Sequence, residues 1–355
     1  MLTPDTIVAG DCVELMQAGR VPPADLIFAD PPFNIGYKYD VYEDRKTYGK
    51  YRRWTREWMK ECVNCLKPAG SFWIAIGDDY AAEVRLIGRR LGLHLRNWVI
   101  WHYTFGQNTK SKFARSHTHL FYFVKNPTDF AFNADAVRTF SDRQRVYKDR
   151  RANPNGKVPD DVWTEFPRVC GTFEERQSWH PCQMPETILA RIIRACTDPG
   201  DLIFDPFAGS GTTLVVAKKL NRQFFGTEIS NKYVKKIEAR LRQTKALAGV
   251  SGERRTPWPE GHRDELRAVY REGCVPTDRL ASAPDLLASF VQQLNWRLEA
   301  SGSNIDGYQP EEVLGELQKL RKAGKLGRIR IHAEERASGE IKESPTLFRQ
   351  RAKGE

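Results

Sequence analysis

The chain lacks any long apolar run. Its 355 residues have a mean hydropathy of −0.57, and no stretch approaches the ~18 consecutive apolar residues that a bilayer span requires. The first residues, Met1-Leu-Thr-Pro-Asp5, have neither the basic start nor the apolar stretch of a secretory signal. Cysteine is also sparse, and an odd total of seven is typical of a reducing compartment rather than of a disulfide framework. We therefore expect a cytoplasmic protein of about two or three domains with no membrane partner.

Acidic side chains are fewer than basic ones, 45 against 56, and the net charge is +11. Residues 35–60 carry a net charge of +4 and residues 101–157 a net charge of +7, so the rest of the chain is neutral overall. A basic protein of this kind either binds nucleic acid or uses the charge for solubility. The concentration in two windows favours nucleic acid, because a solubilising charge would be spread more evenly.

The first of these windows is also rich in aromatic residues. Cations follow phosphates while flat rings stack on exposed bases, so the combination indicates a nucleic-acid surface. Tyr51, Trp54 and Trp58 have helical spacing, which favours a buried helix face for these three; the tyrosines between 37 and 48 lack it and suit a ligand-facing loop. The cations between 138 and 151 form either a solvated surface or a set of phosphate contacts. The residues predicted to bind the nucleic acid are Tyr37, Tyr39, Lys46, Arg138, Arg143, Arg145, Lys148, Arg150 and Arg151.

Strand and helix patterns alternate along most of the chain. Short apolar runs predict strands at 25–29, 71–76, 95–103, 119–124, 201–204 and 223–227. Helical periodicity predicts helices at 50–66, 80–91, 185–197, 212–220 and 231–244. This alternation predicts an α/β fold, with a mostly parallel twisted sheet covered by helices on both faces. Residues 130–178 interrupt the pattern and are polar and irregular, so they are predicted to be an insertion.

A glycine-rich turn follows the strand at 201–204. Gly209 and Gly211 permit a tight turn and a close approach of a ligand to the N-terminus of the next helix. Glu228 ends the following strand, where an open sheet places an acid that binds ribose hydroxyls. Leu214 occupies the third glycine position of the dinucleotide fingerprint, and no Gly-Lys-Ser/Thr is present for a triphosphate. The predicted ligand is therefore a nucleoside without a pyrophosphate, and S-adenosylmethionine fits that description.

Asp30-Pro31-Pro32-Phe33 stands at the end of the first predicted strand, the edge at which α/β folds bind ligands. Two prolines fix the backbone, so the Asp30 carboxylate and the Pro31 carbonyl can both accept hydrogen bonds from one amino group. Such acceptors oppose the positive charge that develops when the nitrogen attacks a sulfonium methyl. Phe33 can stack on the ring that carries the amino group. In duplex DNA the base must first be flipped out of the stack.

Together these motifs resemble the β class of amino-group DNA methyltransferases, over residues 5–245. That class places the Asp/Ser-Pro-Pro-aromatic motif first, the target-recognition region next and the cofactor glycines last. Gly10-Asp11-Cys12 resembles the opening segment of the class, whose acid contacts the cofactor's adenine, and Trp101–Lys125 resembles its strand pair. His180–Pro185 and Asp205–Thr213 resemble its two later cofactor segments. The resemblance implies a Rossmann-like methyltransferase fold, S-adenosyl-L-methionine as cofactor and methylation of a flipped-out base in double-stranded DNA.

The resemblance also implies roles for particular residues. The catalytic residues are Asp30, Pro31, Pro32 and Phe33. The cofactor-binding residues are Asp11, Cys12, Asp30, His180, Gln183, Pro185, Asp205, Pro206, Phe207, Gly209, Ser210, Gly211, Thr212, Thr213, Glu228 and Ile229. The sequence departs from the pattern at Met184, where lysine is usual, and at Phe33, where tyrosine is commoner. Aspartate at position 30 is typical of the adenine-modifying members and serine of the cytosine-N4 members, so adenine-N6 is favoured.

The expected organisation has five parts. Residues 1–129 form the catalytic half, 130–178 the target-recognition insert and 179–248 the cofactor half, followed by a linker at 249–282 and a C-terminal extension at 283–355. The extension has helical patterns at 284–299 and 310–323 and a strand-like run at 327–332, with basic residues clustered between 321 and 330. It is either a small winged-helix-like DNA-binding unit or a structural or dimer-contacting extension.

Other functions remain as alternatives. A cytosine-N4 DNA methyltransferase needs the same motifs. An RNA or protein amide methyltransferase usually has the glycines before the catalytic motif, the reverse of the order here. A DNA-binding regulator without activity does not require Asp30 or the glycines, and a nicotinamide dehydrogenase requires the missing third glycine. A homodimer and a cognate restriction endonuclease are both compatible with the resemblance.

Three further signals are assigned no function. Cys62 and Cys65 have zinc-like spacing but lie on a predicted helix without a second pair. His117 and His119 lie on the same side of a strand without an evident third ligand, and Cys182 has no evident charge partner. We therefore expect no metal.

Overall fold

The computed structural model describes residues 2–103, 109–139, 141, 143, 147, 149, 151, 153, 156–170, 175–244, 258–301, 303, 307–327 and 329. Eight strands form one sheet in the order β1-β8-β7-β2-β3-β5-β4-β6. All neighbouring pairs are parallel except β3–β5 and β4–β5. The mostly parallel sheet expected from the sequence is therefore confirmed, with β5 as its one antiparallel strand among the described residues.

The elements follow the predicted alternation with small shifts at their ends. The strands are β1 (Thr6–Ala9), β2 (Ala24–Ala29), β3 (Leu66–Ile76), β4 (His94–His102), β5 (His117–Val124), β6 (Val162–Trp163), β7 (Leu202–Asp205) and β8 (Gln223–Glu228). The helices are α1 (Cys12–Gln17), α2 (Tyr48–Cys65), α3 (Asp78–Arg90), α4 (Glu186–Cys196), α5 (Thr212–Lys219), α6 (Asn231–Gln243), α7 (Glu260–Gly273), α8 (Thr277–Ser282), α9 (Pro284–Ala300) and α10 (Pro310–Lys322). The sequence analysis missed β1, α1 and β6, since each is too short to show a period.

Helices cover both faces of the sheet. One core cluster joins one face of the sheet to α1, α2 and α3, and another joins the opposite face to α4, α5 and α6. The expected buried stripe of α2 is present, because Tyr51 and Trp58 are fully buried there and Trp54 packs beside them. The pattern of a doubly covered sheet, with near-continuous apolar strands, follows from burial on both faces.

Lys67-Pro-Ala-Gly70, which follows the helix predicted at 50–66, belongs to β3. The chain passes directly from α2 into β3 at Leu66. The pairing of β2 with β3 then shifts register, from Ala24 opposite Leu66 to Leu26 opposite Ser71. The Lys-Pro-Ala-Gly residues are therefore a bulge in an edge of the ladder, where a proline without an N–H is tolerated.

The insert at 130–178 is not wholly separate from the sheet. It contains a short 3-10 helix, Asp135–Val137, and its strand β6 pairs with β4 at the sheet edge. The Asn133 side chain donates to the carbonyls of Arg194 and Thr197, so the insert starts against the C-terminal end of α4.

The prediction of a linker at 249–282 is wrong, because α7 and α8 occupy residues 260–273 and 277–282. These helices pack with α9 and α10 around a third core that extends from Trp258 to Leu326. The composition at Arg254-Arg-Thr-Pro-Trp-Pro-Glu260, with its two prolines, suggests a linker, but α7 begins at the last of these residues. Of the strand expected at 327–332, residues 328 and 330–332 lie outside the described residues.

The C-terminal helices dock on α4 through buried charges. Arg191 on α4 pairs with Glu272 on α7 at 3.0 Å, and Arg194 pairs with Glu265. Arg297 on α9 also pairs with Glu272, at 2.7 Å. All five side chains are at most 3% exposed. Each charge has a partner of opposite sign, which is the condition under which buried ions are tolerated. The helices are thus part of the folded body around α4.

No helix in the described part of the chain has both the length and the apolar character that crossing a membrane would need.

Candidate active site

Four strands bring the predicted site residues to one edge of the sheet. β1, β8, β7 and β2 are parallel neighbours, so their carboxyl ends lie side by side. Asp11 comes just after β1, Glu228 ends β8, Asp205 ends β7 and Asp30 follows β2. Residues almost 200 positions apart along the chain therefore meet in space.

These strand ends open on one cavity of about 870 Å³. Its size is within the range typical of sites for nucleoside-sized ligands. Of the predicted residues, those that line it are Asp11, Cys12, Asp30, Pro31, Pro32, Phe33, Tyr37, Tyr39, Lys46, His180, Gln183, Asp205, Pro206, Phe207, Gly209, Ser210, Thr212, Thr213, Glu228 and Ile229.

The glycine turn requires glycine for two different reasons. Gly209 has φ +53°, and a Cβ there would lie 3.0 Å from His180 Nε2. Gly211 has φ +75° and caps α5, and a Cβ there would lie 2.5 Å from Ile237 Cγ2. Gly209 therefore lets the backbone border the cavity, whereas Gly211 lies outside the lining and lets α5 pack closely on α6.

Glu228 is held by the turn that it faces. One carboxylate oxygen accepts from the Gly209 N–H and the other from the Ser230 N–H, both at 2.9 Å. Burial raises the pKa of Glu228, although these N–H groups counteract it. A carboxylate oxygen accepts more than one hydrogen bond, so Glu228 keeps acceptor capacity toward the cavity.

Asp205 and Asp30 form a second acidic group beside it. Asp205 accepts from the Phe207 N–H at 2.9 Å. Burial raises the pKa of Asp205 to about 7, against hydrogen bonds from Thr213 and Phe207 that lower it. Burial, followed by the charge of Asp205, also raises the pKa of Asp30 to about 7. Among the described residues, no donor lies within hydrogen-bond distance of the Asp30 carboxylate, which faces the cavity without a partner.

The turn that holds Asp30 is fixed from α2. The buried Tyr51 hydroxyl donates to the Pro32 carbonyl at 2.6 Å. Phe33 lies next to Gly77, where a Cβ would be 3.4 Å from the Phe33 ring. Tyr51 was expected only as a core residue, so its hydrogen bond to this turn was missed, and helical spacing gives no signal for it.

Residues 34–46 form a loop over the cavity. The base of this loop is held together by side-chain hydrogen bonds. The buried Asp44 carboxylate accepts from the backbone N–H groups of Asn34, Ile35 and Tyr37 at 2.8–3.1 Å. At the tip, Asp40 accepts from the Ser230 hydroxyl at 2.7 Å, across the cavity from β2. Of the tyrosines expected in a ligand-facing loop, Tyr37, Tyr39 and Tyr42 line the cavity. Tyr48 does not, because it is the first residue of α2 and its hydroxyl donates to Glu83.

Lys46 is also in this loop, and its ammonium already has one partner. Its ammonium donates to the Tyr42 hydroxyl at 2.9 Å and lies 4.0 Å from the centre of the Tyr42 ring. The structure thus places Lys46 at the cavity wall, with Tyr42 as its partner.

The segment from His180 to Pro185 closes the side of the cavity. His180 is buried above Gly209, and burial lowers the pKa of its imidazole to about 4, so the ring is neutral at pH 7. Its Nδ1 has no partner among the described residues. Gln183 is used internally, since it accepts from the Gln177 N–H and donates to the Glu175 carbonyl. Pro185 is the N-cap of α4 and lies outside the cavity lining.

Of the insert cations predicted to bind DNA, those that the structure describes, Arg138, Arg143 and Arg151, lie outside the cavity lining, whereas Arg168 and Arg176 of the insert line it. Arg138 pairs with Asp135 and donates to the Gly156 carbonyl. Arg143 and Arg151 both pair with Asp149. The other cations predicted to bind DNA, Arg145, Lys148 and Arg150, lie outside the described residues.

An ion-pair network behind the glycine turn was missed. Arg240 of α6 donates to the Ser210 carbonyl and the Thr212 hydroxyl, both at 3.0 Å, and pairs with Glu186 at 2.8 Å. Lys219 pairs with the same carboxylate at 2.6 Å. Glu186 is the first residue of α4, so the network ties the turn to the helix after His180. A single sequence offers no signal that couples positions 186, 210 and 240.

The cavity suits S-adenosyl-L-methionine on its own features. The four acidic side chains at this edge, Asp11, Asp30, Asp205 and Glu228, favour a ligand with positive charges, and the sulfonium and ammonium groups supply two. The glycine at position 209 leaves room that a side chain would fill, and the His180 Nδ1 is an unpartnered polar atom beside it. The open sheet with these strand ends is the Rossmann-like methyltransferase fold.

Comparison with known proteins identifies the family within that fold. A family model described as DNA methylase matches residues 24–239. The type II methyltransferase M.HpaI of Haemophilus parainfluenzae is 35% identical over 218 residues, 61% of this chain and 68% of the relative. The DNA adenine methyltransferase YhdJ of Escherichia coli is 36% identical over 238 residues, 65% of this chain and 80% of the relative. The crystal structure of M1.HpyAVI in complex with SAM has a TM-score of 0.50 and 21% identity, covering 66% of this chain and 98% of the other.

The chain belongs to this DNA methylase family, which includes both adenine-N6 and cytosine-N4 enzymes. It is a site-specific DNA methyltransferase, and its cofactor is S-adenosyl-L-methionine. The resemblance drawn from the motifs is thus confirmed at the level of the family, the fold and the cofactor.

Proposed function

We propose that this methyltransferase modifies the N6 amino group of adenine, with Asp30 as the main acceptor of the amino hydrogens. The observation that carries the proposal is the free Asp30 carboxylate. Asp205 and Glu228 already accept backbone N–H groups, whereas Asp30 faces the same cavity without a donor among the described residues. Asp30 is half-buried at the cavity wall, and a carboxylate in that position without a protein donor is complemented by a donor on the substrate.

The turn around Asp30 orients the amino group. Bound S-adenosyl-L-methionine supplies an electrophilic methyl on a sulfonium. Asp30, and the Pro31 carbonyl beside it, accept hydrogen bonds from the nitrogen and oppose the positive charge that develops on it. Phe33 stacks on the base and holds it in line, and Tyr51 keeps the turn rigid through the Pro32 carbonyl. The proton leaves the nitrogen after attack, and a carboxylate with a pKa of about 7 is suited to receive it at neutral pH.

The cofactor-binding roles are assigned to the edge formed by β1, β8 and β7. Glu228 accepts the ribose hydroxyls, and the turn from Asp205 to Thr213 borders the charged end of the cofactor. Asp11 caps α1 by accepting the Val13 and Glu14 N–H groups, and its remaining acceptor capacity faces the adenine end. His180 and Gln183 form the side wall, and Pro185 is the N-cap of the helix behind it.

The DNA approaches over the loop at 34–46 and the insert. Lys46 from the first window of excess positive charge and Arg115 from the second line the cavity, and so do Tyr37 and Tyr39 from the loop. The cations of the insert contact phosphates, and a flipped base enters between the loop and Phe33.

Adenine is favoured over cytosine by two features. Position 30 is aspartate, as in the adenine-modifying members of the resembled class. The relative YhdJ, 36% identical, is named a DNA adenine methyltransferase. A cognate restriction endonuclease, a homodimer and a cytoplasmic location stay predictions.

Expression in a methylation-free host, followed by modification-sensitive sequencing, tests the proposal. We expect N6-methyladenine at one recurring sequence, and N4-methylcytosine instead would contradict it. Asp30→Ala should abolish transfer of labelled methyl to duplex DNA while calorimetry shows cofactor binding largely retained. The matched control is Asp129→Ala, an exposed aspartate away from the cavity, which should leave transfer unchanged. Robust transfer by Asp30→Ala would refute the role of Asp30.

A further inference from the structure

Phe113 is exposed to an unusual degree. Its side chain is 98% exposed, and the next most exposed large apolar side chain in the described part of the protein, Tyr147, reaches 71%. A single exposed apolar residue is common on protein surfaces, but almost complete exposure leaves the ring without any packing partner. The fold therefore does not account for Phe113.

The position of Phe113 is fixed by its neighbours at the rim of the cavity. It lies between β4 and β5, in a segment whose end is held by a hydrogen bond from the Tyr103 N–H to the Ser116 carbonyl at 2.8 Å. Arg115 lines the cavity and pairs with Asp78 at 2.9 Å, at the start of α3. Two residues of chain span at most about 7 Å, so the Phe113 backbone stays that close to a cavity residue.

Cations flank Phe113 along the chain. Lys110 and Lys112 are exposed on the same segment, and Arg115 follows two residues later. Cations next to an unpacked aromatic ring, beside the cavity that takes a flipped base, fit a duplex better than a protein partner. The phosphates would pair with the lysines, and the ring would reach the stack of bases.

We propose that Phe113 is a wedge that enters the DNA base stack and fills the gap left by the flipped target base. The inference rests on the proposed function, in which a base leaves the duplex for the cavity. Flipping is unfavourable because the neighbouring bases lose their stacking partner. A flat apolar ring inserted at that point stacks on the neighbouring bases on both sides, and its apolar surface is removed from water. Phe113 is a positioning residue, since it acts on the duplex and not on the reacting atoms.

A comparison of two duplexes isolates this role. Both carry the sequence found by the sequencing experiment, one with the target base paired and one with it mismatched, because a mismatched base flips at little cost. Phe113→Ala should lower kcat/KM about tenfold on the paired duplex and less than about twofold on the mismatched one. Phe113→Trp, which keeps a flat ring, should stay close to wild type on both. Leu86→Ala, an apolar side chain that is 43% exposed on α3, is the control and should change neither.

Fluorescence and cofactor binding complete the test. With 2-aminopurine at the target position, the fluorescence increase on binding should fall for Phe113→Ala and persist for Phe113→Trp. Calorimetry should show the same cofactor affinity for all variants. An equal loss on the paired and mismatched duplexes, or no loss on either, would overturn the wedge while leaving the proposed function intact. A wild-type protein that methylates cytosine or no DNA base at all would instead overturn the proposed function, on which the wedge depends.

Discussion

Asp30→Asn should stabilise the protein while it removes activity. Burial and the neighbouring Asp205 charge raise the pKa of Asp30 from 3.8 to about 7, so the charged form is disfavoured in the folded state. A pKa increase of this size corresponds to at most ~4 kcal/mol by which the charged carboxylate destabilises the folded state. Asp30 is partly open to the cavity and shares the repulsion with Asp205, so we expect about 2 kcal/mol of added stability at pH 8. Asparagine has nearly the same shape and no charge to bury.

The difference in stability between the wild type and Asp30→Asn depends on pH. Between pH 3.8 and about 7 the folded state holds the Asp30 proton and the unfolded state releases it. The free energy of unfolding of the wild type, relative to that of Asp30→Asn, therefore falls as pH rises across this window. Above the window, the difference in the free energy of unfolding between the two proteins is constant. The two proteins should be equally stable near pH 4 and differ most near pH 8.

Urea denaturation of the cofactor-free proteins at several pH values measures this difference. Asp129→Asn, an exposed aspartate, is the control and should show none. In parallel, methyl transfer by Asp30→Asn should be slower by at least ~100-fold, because an amide accepts less strongly than a carboxylate. The wild-type rate should rise with pH through about 7, as Asp30 loses its proton. A variant no more stable than wild type at pH 8, or a gap that does not vary with pH, would refute the electrostatic reasoning.

Three further changes probe the packing around the site. Gly211→Ala should lower the free energy of unfolding by about 2–4 kcal/mol, because the new Cβ would lie 2.5 Å from Ile237. Gly200→Ala is the control: Gly200 also has a positive φ, +92°, but open space around it, so this change should lower the free energy of unfolding by only about 1 kcal/mol. Arg240→Met should weaken cofactor binding about tenfold in calorimetry, because the glycine turn loses the side chain that connects it to α4. Arg242→Met is the control and should leave cofactor binding unchanged, since Arg242 is 71% exposed. Arg297→Met should lower the free energy of unfolding by about 3 kcal/mol, and an unchanged value would show that the C-terminal helices do not depend on this pair.

Much of the architecture could be predicted because it has a local cause. The strands and helices from 24 to 243, apart from β6, follow from hydrophobic periodicity, and the glycine turn follows from the need for positive φ at Gly209 and Gly211. The motif order identified the family before any contact was known. Short elements such as β1 and β6 could not be found this way, since four residues or fewer do not establish a period.

The C-terminal helices show where composition misled. The composition at Arg254-Arg-Thr-Pro-Trp-Pro-Glu260 suggests a linker over 249–282, but Glu265 and Glu272 within that range are buried against Arg194 and Arg191 of α4. A charge that is buried with a distant partner has the same sequence signature as a charge in water. Only tertiary contacts distinguish the two.

The sequence by itself determined the chemistry that the site contains: an acid before two prolines and a ring, glycines at the start of a helix, and an acid at a strand end. The tertiary structure alone decided which of these groups is available. Parallel pairing of β8, β7 and β2 places Glu228, Asp205 and Asp30 in one cavity. Backbone N–H groups then occupy the first two and leave Asp30 free. Strand order and hydrogen-bond partners depend on contacts between residues far apart in the chain, and no local pattern encodes them.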